Sequence, residues 1–128
     1  MITLIPNEAD RVLVVELSGM VSEADFDQGG EQLARDFPEF SVRVRGGSRG
    51  GIGLLLDYRN LDGWEKGAKT LGTISGKLIS DAVRRVALVA DDRWRDELPR
   101  LTDIVKTAEV RMFAPDQRAA AEAWLAKR

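Results

Sequence analysis

Two nearly uninterrupted apolar runs constrain the fold of this chain more than any other feature of its sequence. The first, IGLLLDY, spans residues 52–58, and the second, RVALVA, spans residues 85–90. Runs of this kind are typical of parallel strands that helices cover on both faces of a sheet. Between them, apolar and small residues recur at intervals of three and four, which predicts a helix over about residues 64–80. The sequence therefore predicts a βαβ unit, whose crossover should be right-handed.

Shorter patterns on either side extend this unit. The runs TLI and VLVVELSG flank the turn-forming PNEAD and predict an N-terminal hairpin. Ser22 stands where a helix N-cap should, and Pro38 ends the helix that follows. Three more elements follow the second apolar run: a helix striped from Trp94 to Val105, which Pro99 kinks or restarts as its first residue, the strand EVRMF, and a last helix opened by Pro115 and Asp116.

The resulting order is β-β-α-β-α-β-α-β-α, and the 128 residues suit a single domain over 1–128. Such alternation predicts an α/β fold with one mixed, mostly parallel sheet of about five strands. An antiparallel hairpin begins the sheet, and helices cover its faces. The order of the strands within the sheet stays open.

The absence of two residue types excludes several kinds of chemistry. The chain has no cysteine and no histidine, which excludes disulfides, thiolate nucleophiles, most zinc sites and histidine-based triads. A formal net charge of -2 is not that of a nucleic-acid-binding domain. No apolar run approaches the roughly 20 residues of a membrane span, and no signal-peptide pattern opens the chain, so we expect a cytoplasmic protein. We predict no catalytic residue, no cofactor and no bound metal.

The glycine-rich stretch SVRVRGGSRGGIG, residues 41–53, is the most conspicuous motif. A phosphate-binding loop needs its glycines after a strand and before a helix, and it ends in Lys followed by Ser or Thr. This stretch follows a helix, precedes a strand and lacks that ending. We therefore predict a flexible loop at 41–51, whose glycines tolerate many backbone angles. A basic flap that meets an anionic ligand through Arg43, Arg45 and Arg49 is the alternative.

Several segments together resemble the SpoIIAA-like family of small bacterial proteins. They are LLLDYRNLDGW, VELSGMVSEADF, VALVADDRW, VRMF and AEAWL, and their order and spacing cover nearly the whole chain outside the glycine-rich stretch. The family is related in fold to STAS domains and more distantly to CRAL-TRIO lipid-binding domains. The resemblance implies the same α/β fold.

The resemblance implies less about activity. STAS relatives bind protein partners or small ligands, and the anti-sigma-factor antagonists among them are switched by phosphorylation of a serine after the third strand. The comparable stretch here, NLDGWEKGAKT, contains no serine, and Thr70 lies farther along, inside the predicted helix. We therefore do not assign a phosphorylation switch to this chain.

Ligands of open α/β sheets bind outside the carboxyl ends of the strands, so the residues there are the candidates for a binding face. Trp64 and Trp94 are each expected in the first turn of a helix, and they either pack in the core or line an apolar pocket. Asp57, Asp91 and Asp92 either form a Mg²⁺ or phospho-acceptor site or have structural roles. In the structural interpretation, Asp57 is a turn former at a strand end, and Asp91 and Asp92 are the N-cap and first turn of the third helix. The candidate face comprises Gly19, Phe26, Asp57, Tyr58, Leu61, Gly63, Trp64, Asp91 and Trp94, with Ala114 at the last strand end.

These patterns favour a non-catalytic binding or regulatory module. It would recognise an apolar small molecule, such as a lipid, or a protein partner at the strand ends, and a homodimer is plausible because it would cover exposed apolar surface. One alternative is a Mg²⁺-dependent phospho-acceptor or hydrolase centred on Asp57 with Asp91 or Asp92. Another is partner switching like that of an anti-sigma-factor antagonist, without the usual phosphoserine.

Overall fold

One five-stranded sheet in the order β1-β2-β3-β4-β5 organises the protein. The computed structural model describes residues 1–7, 11–36, 52–65, 83–104 and 108–127. β1 pairs antiparallel with β2, and each later strand pairs parallel with the one before it. This confirms the predicted mixed, mostly parallel sheet with its N-terminal hairpin. The strands are β1 (Ile2–Asn7), β2 (Val12–Val21), β3 (Ile52–Trp64), β4 (Val83–Val89) and β5 (Glu109–Phe113).

The helices of the described residues lie where the strand order requires. Sequential parallel strands joined by right-handed crossovers carry their connections on one face of the sheet. On this face α2 (Glu97–Ile104) packs beside β5, and α1 (Glu23–Asp36), which precedes β3, contacts β1. The last helix, α3 (Arg118–Ala126), follows the final strand and is free of that rule. It packs on β3 and β4 and buries Ala121, Trp124 and Leu125 against the other face.

The two faces of the sheet carry separate cores because side chains alternate along each strand. The α2 face is the larger one and includes Leu17, Leu56 and Leu88, with Trp94 and Leu98 packed against it. The α3 face includes Val14, Leu55 and Val89, with Phe113 at its margin. The strand residues named for the two faces are almost completely buried, as expected of apolar runs covered on both faces.

A reciprocal capping box begins α1 and confirms Ser22 as its N-cap. The Ser22 backbone N–H donates to Asp25 Oδ2 at 3.0 Å, and the Asp25 N–H donates to Ser22 Oγ at 3.2 Å. The hydrogen bond from the Ser22 backbone holds the pKa of Asp25 below its ordinary value. The helix ends at Asp36, while Pro38 lies outside the described residues.

The third strand is longer than predicted, and this changes the position of Trp64. β3 continues six residues past Tyr58, so Trp64 is its last residue and does not lie in the first turn of a helix. The extension is possible because β2 also continues, to Val21, and two register shifts keep the pair aligned. The predicted helix over 64–80 otherwise lies outside the described residues.

The two helices that follow β4 and β5 begin later than predicted. Trp94 closes a separate 3-10 turn (Asp92–Trp94), and α2 begins only at Glu97, with Pro99 as its third residue instead of its first. Proline is tolerated there because the first-turn N–H groups have no intrahelical acceptor. Before α3, the Gln117 N–H donates to the Ala114 carbonyl at 2.9 Å, which closes a turn at Pro115 and Asp116 and delays the helix to Arg118. No helix of the described part of the chain is long and apolar enough to cross a membrane.

Candidate functional site

The connections that leave β4 and β5 diverge, and a cleft opens between them. A hydrogen bond of 3.1 Å from the Ala90 N–H to the Phe113 carbonyl joins the two strand ends. Beyond it the chain from β4 turns towards α2 on one face, and the chain from β5 turns towards α3 on the other. Crevices at the carboxyl ends of parallel strands form where successive helices leave on opposite faces of the sheet. The position of α3 therefore creates the cleft.

This cleft has a volume of ≈ 380 Å³ and mostly apolar walls. β5 and the turn after it supply most of these walls. The apolar residues that line it are Ala90, Met112, Phe113, Ala114 and Pro115. Behind Phe113 lies Trp124, whose ring centroid is 5.8 Å away, and the guanidinium of Arg111 lies over both rings. One wall of the cleft is thus fixed by packing against α3.

The charged residues of the cleft all come from the segment that follows β4. Asp91 caps the 3-10 turn, because its Oδ1 accepts the Arg93 backbone N–H at 3.1 Å. Asp92 Oδ1 accepts from Arg95 Nη2 at 2.7 Å. The two aspartate side chains remain 56% and 89% exposed. Asp91, Asp92 and Arg95 therefore form an exposed, charged rim beside the apolar walls of the cleft.

An aromatic cluster lies under the same strand ends, on the α2 face of the sheet. Tyr58, Trp64 and Trp94 meet edge to face, with ring centroids 5.5, 5.8 and 6.4 Å apart. Leu61 is buried in the same core, and the Arg93 guanidinium donates to the Leu61 carbonyl and lies 5.0 Å from the Trp94 ring. The three aromatic residues contact one another closely, as core residues do.

Asp57 lies on the opposite face, in a cluster of charges beneath α3. Its Oδ1 accepts both the backbone N–H and the Nε of Arg59 at 3.0 Å. Its Oδ2 accepts Arg59 Nη2 at 2.7 Å and Arg118 Nη1 at 2.9 Å. Glu16, the register partner of Asp57 on β2, accepts the same Arg118 nitrogen. The carboxylate of Asp57 is thus saturated by two guanidinium groups.

The pKa of Asp57 follows from this geometry. Burial by itself raises the pKa, because it disfavours the charged carboxylate. The hydrogen bonds from Arg59 and the positive charges of Arg59 and Arg118 outweigh burial and hold the pKa of Asp57 below 3.8. Asp57 therefore remains ionised whenever the protein is folded near neutral pH.

The three aspartates of the Mg²⁺ alternative occupy different surroundings. Asp57 binds arginines under α3, while Asp91 and Asp92 pair with Arg93 and Arg95 at the cleft. Within the described ranges, no three or more acidic, cysteine or histidine residues are grouped as metal ligands would be. The structural interpretation of Asp91 is confirmed in part, since it caps the 3-10 turn instead of α2.

Of the remaining predicted residues, Gly19 and Gly63 lie apart from the cleft. Gly19 has a positive φ of 64° at a register shift of β2, a conformation that favours glycine. Gly63 pairs with Met20 near the end of β3, where a Cβ would lie 3.3 Å from the Met20 sulfur. Phe26 lies in α1, but its side chain is outside the described residues, as are Arg43, Arg45 and Arg49.

The sequence patterns placed only some of the cleft residues at strand ends, and they did not indicate the arginine partners of Asp57. They placed Asp91, Asp92 and Ala114 at strand ends, and all three line the cleft. Met112 and Phe113 could have been added, because they end the strand EVRMF. Arg118 could not have been identified in this way, because its partners Asp57 and Glu16 are 61 and 102 residues away along the chain.

Comparisons with known proteins agree with this architecture. A family model described as SpoIIAA-like matches residues 12–126. Among proteins with curated descriptions, none matches the sequence. An uncharacterised protein with a SpoIIAA-like fold from Shewanella loihica PV-4 is similar in structure, with a TM-score of 0.71 and 20% identity over 98% of this chain and 92% of its own.

A second solved structure has the same fold. It is that of the anti-sigma factor antagonist SpoIIAA in its unphosphorylated form, with a TM-score of 0.56 and 13% identity over 97% of this chain and 98% of its own. At these sequence identities, the two structural matches establish the fold and say nothing about activity.

Proposed function

The chain belongs to the SpoIIAA-like family, and we propose that it is a non-catalytic binding module whose recognition site is the cleft between the ends of β4 and β5. This cleft takes an apolar group of a small molecule or of a partner protein. The observation that carries the proposal is the cleft itself, with its apolar walls and three charged residues on its rim.

The chemistry of the cleft is that of a recognition site. Binding pockets of proteins are mostly apolar, contain a few polar groups that orient the ligand, and range from about 300 to 1,000 Å³. The ≈ 380 Å³ of this cleft suits a small molecule or one or two side chains of a partner. Phe113 forms a wall that Trp124 supports, so the site needs little rearrangement to bind.

The composition and the charge pairs support a role without catalysis. The chain lacks histidine and cysteine, the residue types that most often transfer protons or attack substrates. Asp57, the most deeply buried acid of the described residues, binds two arginines and accepts no further donor readily. An enzyme built on Asp57 would first have to break this cluster.

The sheet edges are poor alternatives for partner recognition. β1 contains Pro6, which lacks a backbone donor, and β5 is only five residues long with Glu109 and Arg111 exposed. Short, charged or proline-containing edge strands resist pairing with a further strand. Recognition at the strand ends is therefore favoured over addition of a strand from a partner.

Partner switching is a second candidate function, favoured by the fold shared with an anti-sigma factor antagonist. In this chain the stretch that resembles the phosphorylated region begins inside β3, at Asn60, and contains no serine. A switch of this type would have to act through the binding of the partner alone.

The test is a screen of apolar fragments by backbone amide NMR, with an Ala114→Trp variant to fill the cleft. Ala114 is an exposed residue that lines the cleft, so we expect the variant to fold normally. Because the indole fills the cleft, the variant should lose fragment binding. Ala119→Trp, the same change at an exposed position of α3, is the matched control and should bind as the wild type does. If Ala114→Trp binds as well as the control, the site is wrong. Separately, native mass spectrometry of gently purified protein would show whether a partner protein or a small molecule accompanies it.

A further inference from the structure

We infer that the cleft selects a small organic cation: a molecule with an apolar body and one ammonium group. The inference rests on the proposed function, because it names the ligand class of the same cleft. Its basis is the arrangement of charged side chains around the apolar walls of the cleft.

Two carboxylates line the cleft, and each uses only one of its oxygens. Asp91 Oδ1 accepts the Arg93 N–H and lies 3.6 Å from Arg93 Nε, and Asp92 Oδ1 accepts from Arg95. Within the described part of the chain, neither Oδ2 has a hydrogen-bond or ion-pair partner. A carboxylate oxygen accepts more than one donor, so each side chain can still bind an N–H group of a ligand.

The residues that line the cleft include more acidic than basic side chains. Arg93 directs its guanidinium towards the Leu61 carbonyl and the Trp94 ring, so it does not line the cleft. Arg111 lies over Phe113 and Trp124, on the side of α3. The charged residues that do line the cleft are two acids, Asp91 and Asp92, and one base, Arg95, so its charged lining is mainly acidic although each aspartate has an arginine partner.

The apolar walls of the cleft indicate that the body of the ligand, apart from its ammonium group, is apolar. Met112 and Phe113 lie beside the two aspartates at the ends of adjacent strands, so one molecule can contact both surfaces. The volume of ≈ 380 Å³ is near the lower limit for ligand pockets, which favours a small molecule over a folded partner surface. An alkyl or aryl body with a terminal ammonium fits both requirements.

The experiment compares three probes with the same apolar body: hexylamine, hexan-1-ol and hexanoate at neutral pH. Titrations followed by backbone amide NMR give the affinity of each for the full chain. We expect hexylamine to bind about threefold or more tighter than hexan-1-ol, because exposed ion pairs contribute up to about 1 kcal/mol each. Hexanoate should bind most weakly of the three.

A variant with Asp91→Asn and Asp92→Asn tests the assignment of charge. Asparagine caps a helical turn as aspartate does, so the 3-10 turn should persist while both charges disappear. We expect the affinity for hexylamine to fall to that for hexan-1-ol. The control carries Asp62→Asn and Glu109→Gln, which removes two exposed acids elsewhere and should leave the preference unchanged.

The outcomes separate this inference from the proposed function. Equal affinities for the three probes, a preference for hexanoate, or an unchanged preference in the Asp91→Asn, Asp92→Asn variant would overturn the inference and leave the cleft as a binding site. If none of the probes shifts the amide resonances of residues 112–114, both the cation preference and the site itself are refuted.

Discussion

Asp57 is an acid at a strand end, a position at which ligand and metal sites are common, yet its surroundings are those of a structural ion pair. Its side chain is 4% exposed and accepts hydrogen bonds from Arg59 and Arg118. Both arginines also keep part of their surface in water. The carboxylate therefore joins β3 to the start of α3 and leaves the two cationic groups solvated.

Replacing Asp57 by asparagine should destabilise the protein by about 2 kcal/mol, because hydrogen bonds to charged groups are lost and two guanidinium groups lose their anion. The free energy of unfolding measured in urea gives the value. Asp91→Asn is the control, because Asp91 is exposed and caps only the 3-10 turn, a role that asparagine also fills. It should lower the free energy of unfolding by less than about 0.5 kcal/mol. Equal losses in the two variants would contradict the structural role of Asp57.

The stabilising effect of Asp57 should depend on pH in the acid range. Because its pKa in the folded protein is below the ordinary 3.8, its contribution is complete above pH 3.8 and is lost as the pH falls through the folded value. The difference in stability between the wild type and Asp57→Asn should therefore shrink below about pH 4 and stay constant from about pH 5 to 8. Urea denaturation at several pH values measures it, and a difference that grows on acidification would refute the assignment.

At the scale of elements, the close approach of α3 to the sheet depends on Gly53. A Cβ at this position would lie 3.2 Å from Leu125 Cβ and 3.3 Å from Val12 Cγ2. Leu125 is completely buried, so neither side chain can move into solvent. The glycine in β3 thus has a packing role, which its position in an apolar run did not reveal.

Gly53→Ala should lower the free energy of unfolding by about 1 kcal/mol, since overpacking of a core outweighs the usual preference for alanine in a strand. Thermal unfolding measures the change. Gly63→Ala is the matched control: its Cβ would meet the sulfur of Met20, which is 51% exposed and can move aside. We expect the control to change stability by less than half as much, and the opposite order would contradict the packing described for α3.

The fold of the whole molecule, more than any one motif, positions the cleft. Sequential parallel strands carry their connecting helices on one face, and only the helix after the last strand can cover the other. Because α3 does so, the chain separates beyond β4 and β5 and leaves the cleft between them. The candidate site is therefore a consequence of topology.

The glycine-rich stretch should contribute little to the stability of the whole molecule. Its residues 41–51 lie outside the described residues, so their prediction as a flexible loop stays a prediction. Deletion of Gly46 to Gly50 should leave the fold intact, since shortening a surface loop changes the closure entropy by only about 1 kcal/mol or less. Circular dichroism and thermal unfolding measure the outcome, and an unfolded deletion variant would place the stretch within the core.

The sequence by itself determined most helices and strands and which side of each is buried, because apolar periodicity and capping residues act over a few neighbouring positions. It predicted the hairpin, the buried strands and the cap at Ser22. Tertiary structure alone decided the length of β3, the partners of Asp57 and the face on which α3 packs. Each of these depends on contacts between residues far apart in the chain, as Arg118 and Glu16 are at a separation of 102 residues, and no local pattern encodes such contacts.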